Sequence, residues 1–545
     1  MRLGRAVRPI FVVGFGFALV CRGGDALAQV YPGLEPGLQE PPAGLVGPGG
    51  VPIQPPAGEE QREWTITPSL GVEETFTNNV RQVASPKQED LVTSIEPALN
   101  VIGNTPRIQL VLSYTPQFQE NVNATDQNRI EQNLLEDGIG TIIPDLFFIH
   151  TQASIFQQST AGGQGAINSS FIPESQRTQV TTFSGAPYLR TNFGDFATVE
   201  ARYTYALASF DNGQNNSGVV APFNTGLSNS TEQDARVAVA TGEYFGRLNG
   251  TLVLDATRVK SSGVLSNEDV NAAEFDGEYE IYDTFSIVAQ GGYSETTFHS
   301  PFVSDIRGPI WGAGIKYQPN PDSEISLLYG ERQGQEDFTG DLHYAIGANT
   351  FVFANYQQTI ETTQQELLNL LQGSAIGPGF AGYTGGSIVG NLQTGQLYNG
   401  INELGLQNGI YRSENLTGGL SSTIGRNTFT ITGFREEHSP IPAAKNPKAI
   451  ISIPETPAQP GDTATGGTVT WNRALTPRMT GDVSFGYATE TLTGSRTGNI
   501  TAGIGYTFTD SFTGSAQYYF NRQTGGSTGP GFTEHALTLS LRKTF

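Results

Sequence analysis

The chain has 545 residues, a formal net charge of −22 and a single cysteine; 37% of it is hydrophobic and its mean hydropathy is −0.26. Beyond its N-terminal segment no stretch supplies the roughly 20 consecutive apolar residues that a spanning helix needs, which excludes a helical membrane protein. So acidic a surface is a poor partner for nucleic acid, whose affinity comes mostly from cationic contacts to phosphate. The 67 Gly, 20 Tyr and 31 Phe suit alternating strands with aromatic girdles, and would equally suit a secreted β-solenoid.

Arg2, Arg5 and Arg8 precede an apolar run from Ile10 to Val20, and Ala26-Leu27-Ala28 follows. These are the n-region, h-region and small-residue cleavage site of a secretory signal peptide, residues 1–28, cut after Ala28. Val20 stands where a lipoprotein signal wants a small residue, which argues against Cys21 as a lipid acceptor. Cleavage removes that cysteine together with four Arg and one Asp. The mature chain then has no disulfide and no catalytic thiol, with 26 basic against 51 acidic residues and a net charge of −25. Residues 29–62, punctuated by Pro32, Pro36, Pro41, Pro42, Pro48, Pro52, Pro55 and Pro56, read as a disordered periplasmic leader, a passive spacer.

Period-two patterning begins at Trp64. Trp64, Ile66, Pro68, Leu70 and Val72 alternate with Thr65, Thr67, Ser69, Gly71 and Glu73. The same alternation recurs at Ile95–Val101, Ile108–Tyr114, Val199–Tyr205, Trp311–Tyr317, Val483–Tyr487 and Ile500–Phe508. These runs approach the roughly 9–11 residues that a tilted strand needs to cross a bilayer, and it is their repetition that argues for one. Short links at Gly103–Pro106, Ile143–Asp145, Phe193–Asp195, Gln318–Asp322 and Phe508–Asp510 alternate with long polar loops at 158–175, 211–231, 361–409 and 437–464. That asymmetry belongs to outer-membrane barrels and has no counterpart in a sandwich or solenoid. The expectation is an all-β chain: a transmembrane antiparallel up-and-down β-barrel of about 18–22 strands over residues 63–545. Arg129–Glu136 fits helix or strand, and Phe351–Tyr356 alternates weakly.

The longest insertion, 361–409, opens Glu361-Thr362-Thr363-Gln364-Gln365-Glu366-Leu367-Leu368. Thr363 and Glu366 have capping-box spacing, and the leucines then give a short apolar helix face. The loop is expected either to fold into the barrel mouth as a constriction or to cap the neighbouring loops. At the other end of the chain, Leu537, Leu539, Leu541 and Phe545 share one strand face while Thr538, Ser540, Arg542 and Thr544 share the other. This closing strand is similar to the C-terminal signal read by barrel-assembly machinery. Lys543 departs from it, where a snorkelling ammonium is expected.

For chemistry the sequence offers little. His150 shares its face with Gln152 and Ser154 and is expected in the lumen; His299, His343, His438 and His535 lie in or near loops or strand ends. No Gly-x-Ser-x-Gly elbow between a strand and a helix and no His-Glu-x-x-His helix occurs, so no catalytic residue, metal site or cofactor is expected. Glu436-Glu437-His438 reads as a solvated loop. Charges on the wet face of the strands are more informative: Asp276, Glu278 and Glu280 form one inward column, and Glu96, Glu200, Arg202, Arg236 and Lys316 hold comparable positions. Such residues either select solutes or pair across the barrel and fill it.

Thr67–Val80, Thr-Pro-Ser-Leu-Gly-Val-Glu-Glu-Thr-Phe-Thr-Asn-Asn-Val, resembles the opening strand of the putative β-barrel porin type 2 family, and Thr362–Leu368 resembles a loop of the same family. The resemblance implies an outer-membrane barrel with relatives in PEP-CTERM and exopolysaccharide systems, and carries no catalytic residues. The expected function is therefore a passive channel or conduit in the cell outer membrane, linked to exopolysaccharide export. The alternatives are a general diffusion porin and a barrel that anchors a surface, structural or enzymatic role. Expected partners are outer-membrane lipid and lipopolysaccharide, the latter bridged to acidic loops by divalent cations, along with the barrel-assembly machinery and polysaccharide-export components.

Overall fold

The computed structural model describes residues 45–46, 52–53, 63–159, 177–211, 229–261, 267–299, 305–362, 365–368, 388–391, 396–399, 404, 410–440, 461–526 and 531–545. The expected signal peptide and most of the leader lie outside these residues, as does most of loop 361–409.

A closed, antiparallel, up-and-down barrel of 22 strands holds nearly everything else. In chain order the strands are β1 (Trp64–Thr77), β2 (Asp90–Asn104), β3 (Ile108–Tyr114 and Gln117–Asn121), β4 (Arg129–Glu131 and Leu134–Ile143), β5 (Phe147–Ser159), β6 (Arg177–Phe193) and β7 (Ala197–Asp211). There follow β8 (Ser230–Thr241), β9 (Leu248–Ser261), β10 (Glu268–Tyr282), β11 (Phe285–Phe298), β12 (Ile306–Asn320), β13 (Ser323–Arg332), β14 (Gln335–Ala345) and β15 (Thr350–Thr362). The circuit ends with β16 (Ile410–Ile424), β17 (Asn427–Pro440), β18 (Asp462–Thr476), β19 (Met479–Glu490), β20 (Arg496–Thr509), β21 (Phe512–Thr524) and β22 (Phe532–Thr544). Two short pairs, Leu45–Val46 with Pro52–Ile53 and Ile388–Asn391 with Gln396–Asn399, stand outside this ladder.

Closure is obligatory in a bilayer, because each backbone group left unpaired in hydrocarbon costs several kcal/mol. The last strand accordingly pairs with the first, from Ala536 opposite Thr77 to Thr544 opposite Ser69, and the Phe545 N–H donates to the Pro68 carbonyl at 2.9 Å. Among the described residues the strand path is broken in β3 and in β4, whose Arg129–Glu136 stretch the sequence left between helix and strand. Pro116 has no N–H to give the ladder, so β3 breaks there, and β4 breaks opposite it between Glu131 and Leu134.

Side-chain alternation sorts the wall into two faces. Ile66, Leu70, Val72, Leu252, Leu254, Val483, Ile500 and Ile504 are exposed on the outside, in an apolar belt. Tyr244, Tyr282, Phe193, Phe196 and Phe545 ring the short-turn end, the position of an interfacial aromatic girdle. Leu537, Leu539 and Leu541 face outward on β22, and Lys543 beside them bends to the turn, its Nζ donating to Ser511 Oγ at 2.5 Å. The weak alternation of Phe351–Tyr356 also has a cause: β15 turns Phe353 inward, where its ring lies over Gly419 of β16. A Cβ at position 419 would stand 2.7 Å from Phe353 Cζ.

Short turns occupy one end, where both barrel termini lie, and longer connections the other, except for the Gln333-Gly334 hairpin. There both residues have positive φ (56° and 81°), as a tight two-residue turn requires. The loop drawn from sequence at 437–464 is shorter than expected: β17 continues to Pro440 and β18 begins at Asp462. Polar inward residues carry the extended pairing past the apolar belt.

Candidate functional site

The inner wall is the candidate site, and it is acidic. Eleven carboxylate residues are buried among the described residues: Asp90, Glu96, Glu131, Glu200, Glu232, Glu268, Glu366, Glu436, Asp462, Glu490 and Glu534. Among the cations, the Arg177 and Arg202 side chains are covered to a similar degree, at 5% and 9% exposed. Strands hold ten of the eleven; Glu366 comes from the long loop.

The greatest density of carboxylates falls on β8–β10. Asp276, Glu278 and Glu280 lie on the inner face of β10, and register adds neighbours that the sequence reading did not single out. These are Glu268 and Glu274 on the same strand, Glu232 and Asp234 on β8, and Asp255 on β9. The alternation that gave Asp276 also contained Glu274; the cross-strand neighbours needed the register. Cations offset part of the charge. Arg332 of β13 grips Glu274 with two nitrogens, at 2.9 and 3.1 Å, and Lys316 of β12 lies 3.5 Å from Glu278 and 3.6 Å from Glu324. Asp276 accepts from Gln290 at 3.0 Å, and Thr257 donates to both Asp234 and Asp255.

Elsewhere the expected charges pair locally. Arg202 lies 3.1 Å from Glu200 on β7 and stacks 4.2 Å above the Tyr188 ring, itself stacked on Phe148. Arg236 stands in register between Arg202 and Asp255. Glu96 is bonded by Arg542 at 2.6 Å, and buried Glu131 by Arg129 and Arg177, both at 2.5 Å. His150 is buried on β5, with Asp137 at 3.5 Å. Pairing and filling thus describe much of the wall, and β8–β10 carries its longest run of neighbouring acids.

The start of the long loop turns inward. Residues 365–368 form a helical turn. Its cap sits one residue earlier than the sequence spacing suggests: the Gln365 N–H donates to Thr362 Oγ1 at 3.2 Å, and the Thr362 N–H donates to Gln365 Oε1 at 2.8 Å. Thr362 rather than Thr363 therefore makes the capping box, because β15 delivers the chain into the turn at Thr362. Leu367 and Leu368 are fully buried, and Leu368 packs on Ala206 and Ala208 of the inner face of β7. Gln365 bonds Glu268 of β10, and the Tyr411 hydroxyl of β16 donates to Glu366 at 2.8 Å. One helical turn thus bridges β15, β7, β10 and β16 inside the barrel, towards its loop end.

Glu436 and His438 are not in a solvated loop. Both lie on the inner face of β17, each 3% exposed, while Glu437 points outward with Arg435 at 2.6 Å. Sequence reasoning misplaced them because β17 runs past the apolar belt, where alternation is between polar residues.

Among known families, the sequence model described as putative beta-barrel porin 2 matches residues 52–340, just over half of the chain. No curated protein matches in sequence. Similar solved structures include the siderophore receptor PirA from Acinetobacter baumannii (8% identity, TM-score 0.45, covering 89% of this chain and 81% of that one) and the FrpB iron transporter from Neisseria meningitidis (9%, 0.48, 89% and 83%). The ferric-catecholate import receptor Fiu from E. coli K12 is a third (9%, 0.46, 88% and 81%).

Proposed function

Because the chain belongs to the putative beta-barrel porin 2 family of outer-membrane barrels, we propose that it is a passive, non-enzymatic conduit whose lumen favours cations and neutral hydrophilic solutes over anions. One observation carries this reading: the inner face of β8–β10 concentrates Glu232, Asp234, Asp255, Glu268, Glu274, Asp276, Glu278 and Glu280 against Arg236 on the same strands. Lumen charge sets which ions enter a barrel. Low-dielectric walls strengthen that field.

The helical turn at 365–368 is the constriction of this conduit. It lies on the solute path near the loop end, and its attachments to four strands fix its position. Replacing Asp276, Glu278 and Glu280 together by Asn and Gln should lower the cation preference read from reversal potentials under a salt gradient in planar bilayers. An unchanged reversal potential would sink the selectivity reading.

A second reading makes the solute an exopolysaccharide on its way out of the cell. The stacked inner-wall rings Phe148 and Tyr188 favour it, since flat apolar faces beside polar groups suit sugar rings. An acidic wall would also keep an acidic polymer from adhering. Deleting the protein and measuring secreted polymer tests this reading; unchanged secretion ends it.

A further inference from the structure

The loop end of the barrel holds a cluster that the lumen's charge selectivity does not use. Glu366 comes from the helical turn and Glu436 and His438 from β17, and one donor atom of each lies within 4.8 Å of the others. All three residues are buried, each 3% exposed. His438 Nε2 lies 3.1 Å from Glu436 Oε1. Tyr411 organises the group. Its ring stacks on His438, with centroids 3.8 Å apart and planes 19° apart, while its hydroxyl donates to Glu366 Oε2 at 2.8 Å. Hydrogen bonds and packing that fix ligand orientation in this way are the usual surroundings of a metal site.

Charge points the same way. Two buried carboxylates stand close together beside one imidazole. Desolvating a carboxylate costs several kcal/mol per ion, and close contact with a cation offsets that cost. A divalent cation would balance both carboxylates and take the neutral imidazole as its third donor. Mixed nitrogen and oxygen donors suit zinc and its first-row neighbours, whereas calcium and magnesium prefer all-oxygen sites. Bonds of about 2.0–2.2 Å would set the donors roughly 3–3.5 Å apart, so small side-chain rotations close the cluster around an ion.

We propose that Glu366, Glu436 and His438 form a binding site for a divalent first-row metal ion, zinc by donor type, that clamps the helical turn to the barrel wall. The site joins the loop to β17, so occupancy would hold the constriction in place.

The test is zinc titration of the full chain, purified in detergent and stripped with chelator, followed by calorimetry and elemental analysis. One equivalent should bind per barrel, and His438→Ala should weaken binding at least 100-fold and Glu366→Gln at least tenfold. His299→Ala, at an exposed histidine bonded to Asp269, should change nothing. Absence of stoichiometric zinc, or binding indifferent to both cluster variants, overturns the proposal. Should His438→Ala lose the compact barrel band on unboiled gels, Glu366→Gln decides, because residue 366 lies outside the strand ladder. Zinc binding does not depend on conduction: a barrel that binds zinc without passing ions leaves this site standing, and one that conducts without binding zinc leaves the conduit standing.

Discussion

Arg542 of β22 lies across Gly71 of β1 and places its Nη2 2.6 Å from Glu96 Oε2 of β2. One guanidinium thus spans three consecutive strands at the seam where the barrel closes. A Cβ at position 71 would sit 2.9 Å from that nitrogen, so the glycine leaves the path open. Above it, Thr77 and Gln82 both donate to the buried Glu534, at 2.7 and 2.9 Å.

Removing the seam cation should therefore destabilise closure. Arg542→Met leaves Glu96 facing Glu73 without its partner, a loss of about 1.5–3 kcal/mol for a charged hydrogen bond. The temperature at which the compact band disappears on unboiled gels should fall. Adding Glu96→Gln to Arg542→Met should recover part of the loss, because a neutral amide tolerates burial. Equal melting of wild type and Arg542→Met would show the pair to be incidental.

Lys316 lies between Glu278 and Glu324, so it screens the inward acids. Lys316→Gln should raise cation preference, opposite in sign to the neutralised carboxylate column. Reversal potentials measure both variants side by side. A shift in the same direction for both would mean that pore shape, not charge, responds.

The helical turn should open without unfolding the barrel. Leu368→Asp places a charge against Ala206 and Ala208, where it finds no apolar fit, and should release the turn and raise single-channel conductance. Gln365→Ala removes one side of the capping box, worth about 1 kcal/mol, and should give a smaller rise. Strand content by circular dichroism should hold in both, since the 22-strand ladder is untouched. Conductance indistinguishable from wild type in Leu368→Asp would remove the turn from the solute path.

Two loops at the loop end are tied by Arg81, whose nitrogens lie 2.6 and 2.8 Å from the Asp126 carboxylate. Hydrogen bonding from Arg81 holds that carboxyl at about 2, below its ordinary 3.8. Folding lowers the value, so the tie is at full strength above about pH 4 and is lost as pH falls through 2. The pair is well exposed, and its contribution to overall stability is small. Arg81→Gln should return Asp126 to ordinary titration, followed by carbon NMR of labelled aspartate.

The C-terminal face should matter for assembly more than for the finished barrel. Phe545→Ser should reduce the amount assembled in the outer membrane, while protein refolded in detergent should still give the compact band. Normal membrane yield would remove Phe545 from the assembly signal.

What the sequence determined by itself was the wall. Strict two-residue alternation separates lipid from water, so Ile66, Leu70 and Val72 could be sent outward, and Asp276, Glu278 and Glu280 inward, from order alone. Alternation reports which face a residue occupies but not what stands beside it. Only the register brought Asp255 next to Arg236, and only closure of the circle brought Arg542 to Glu96 across 446 residues of chain. Where the wall rises beyond the apolar belt the two-letter pattern fades, and Glu436 and His438 passed for loop. The inward fold of 365–368 was decided by burial of Leu367 and Leu368, the latter against a strand eight places away around the barrel, an attraction that leaves no local mark in the sequence.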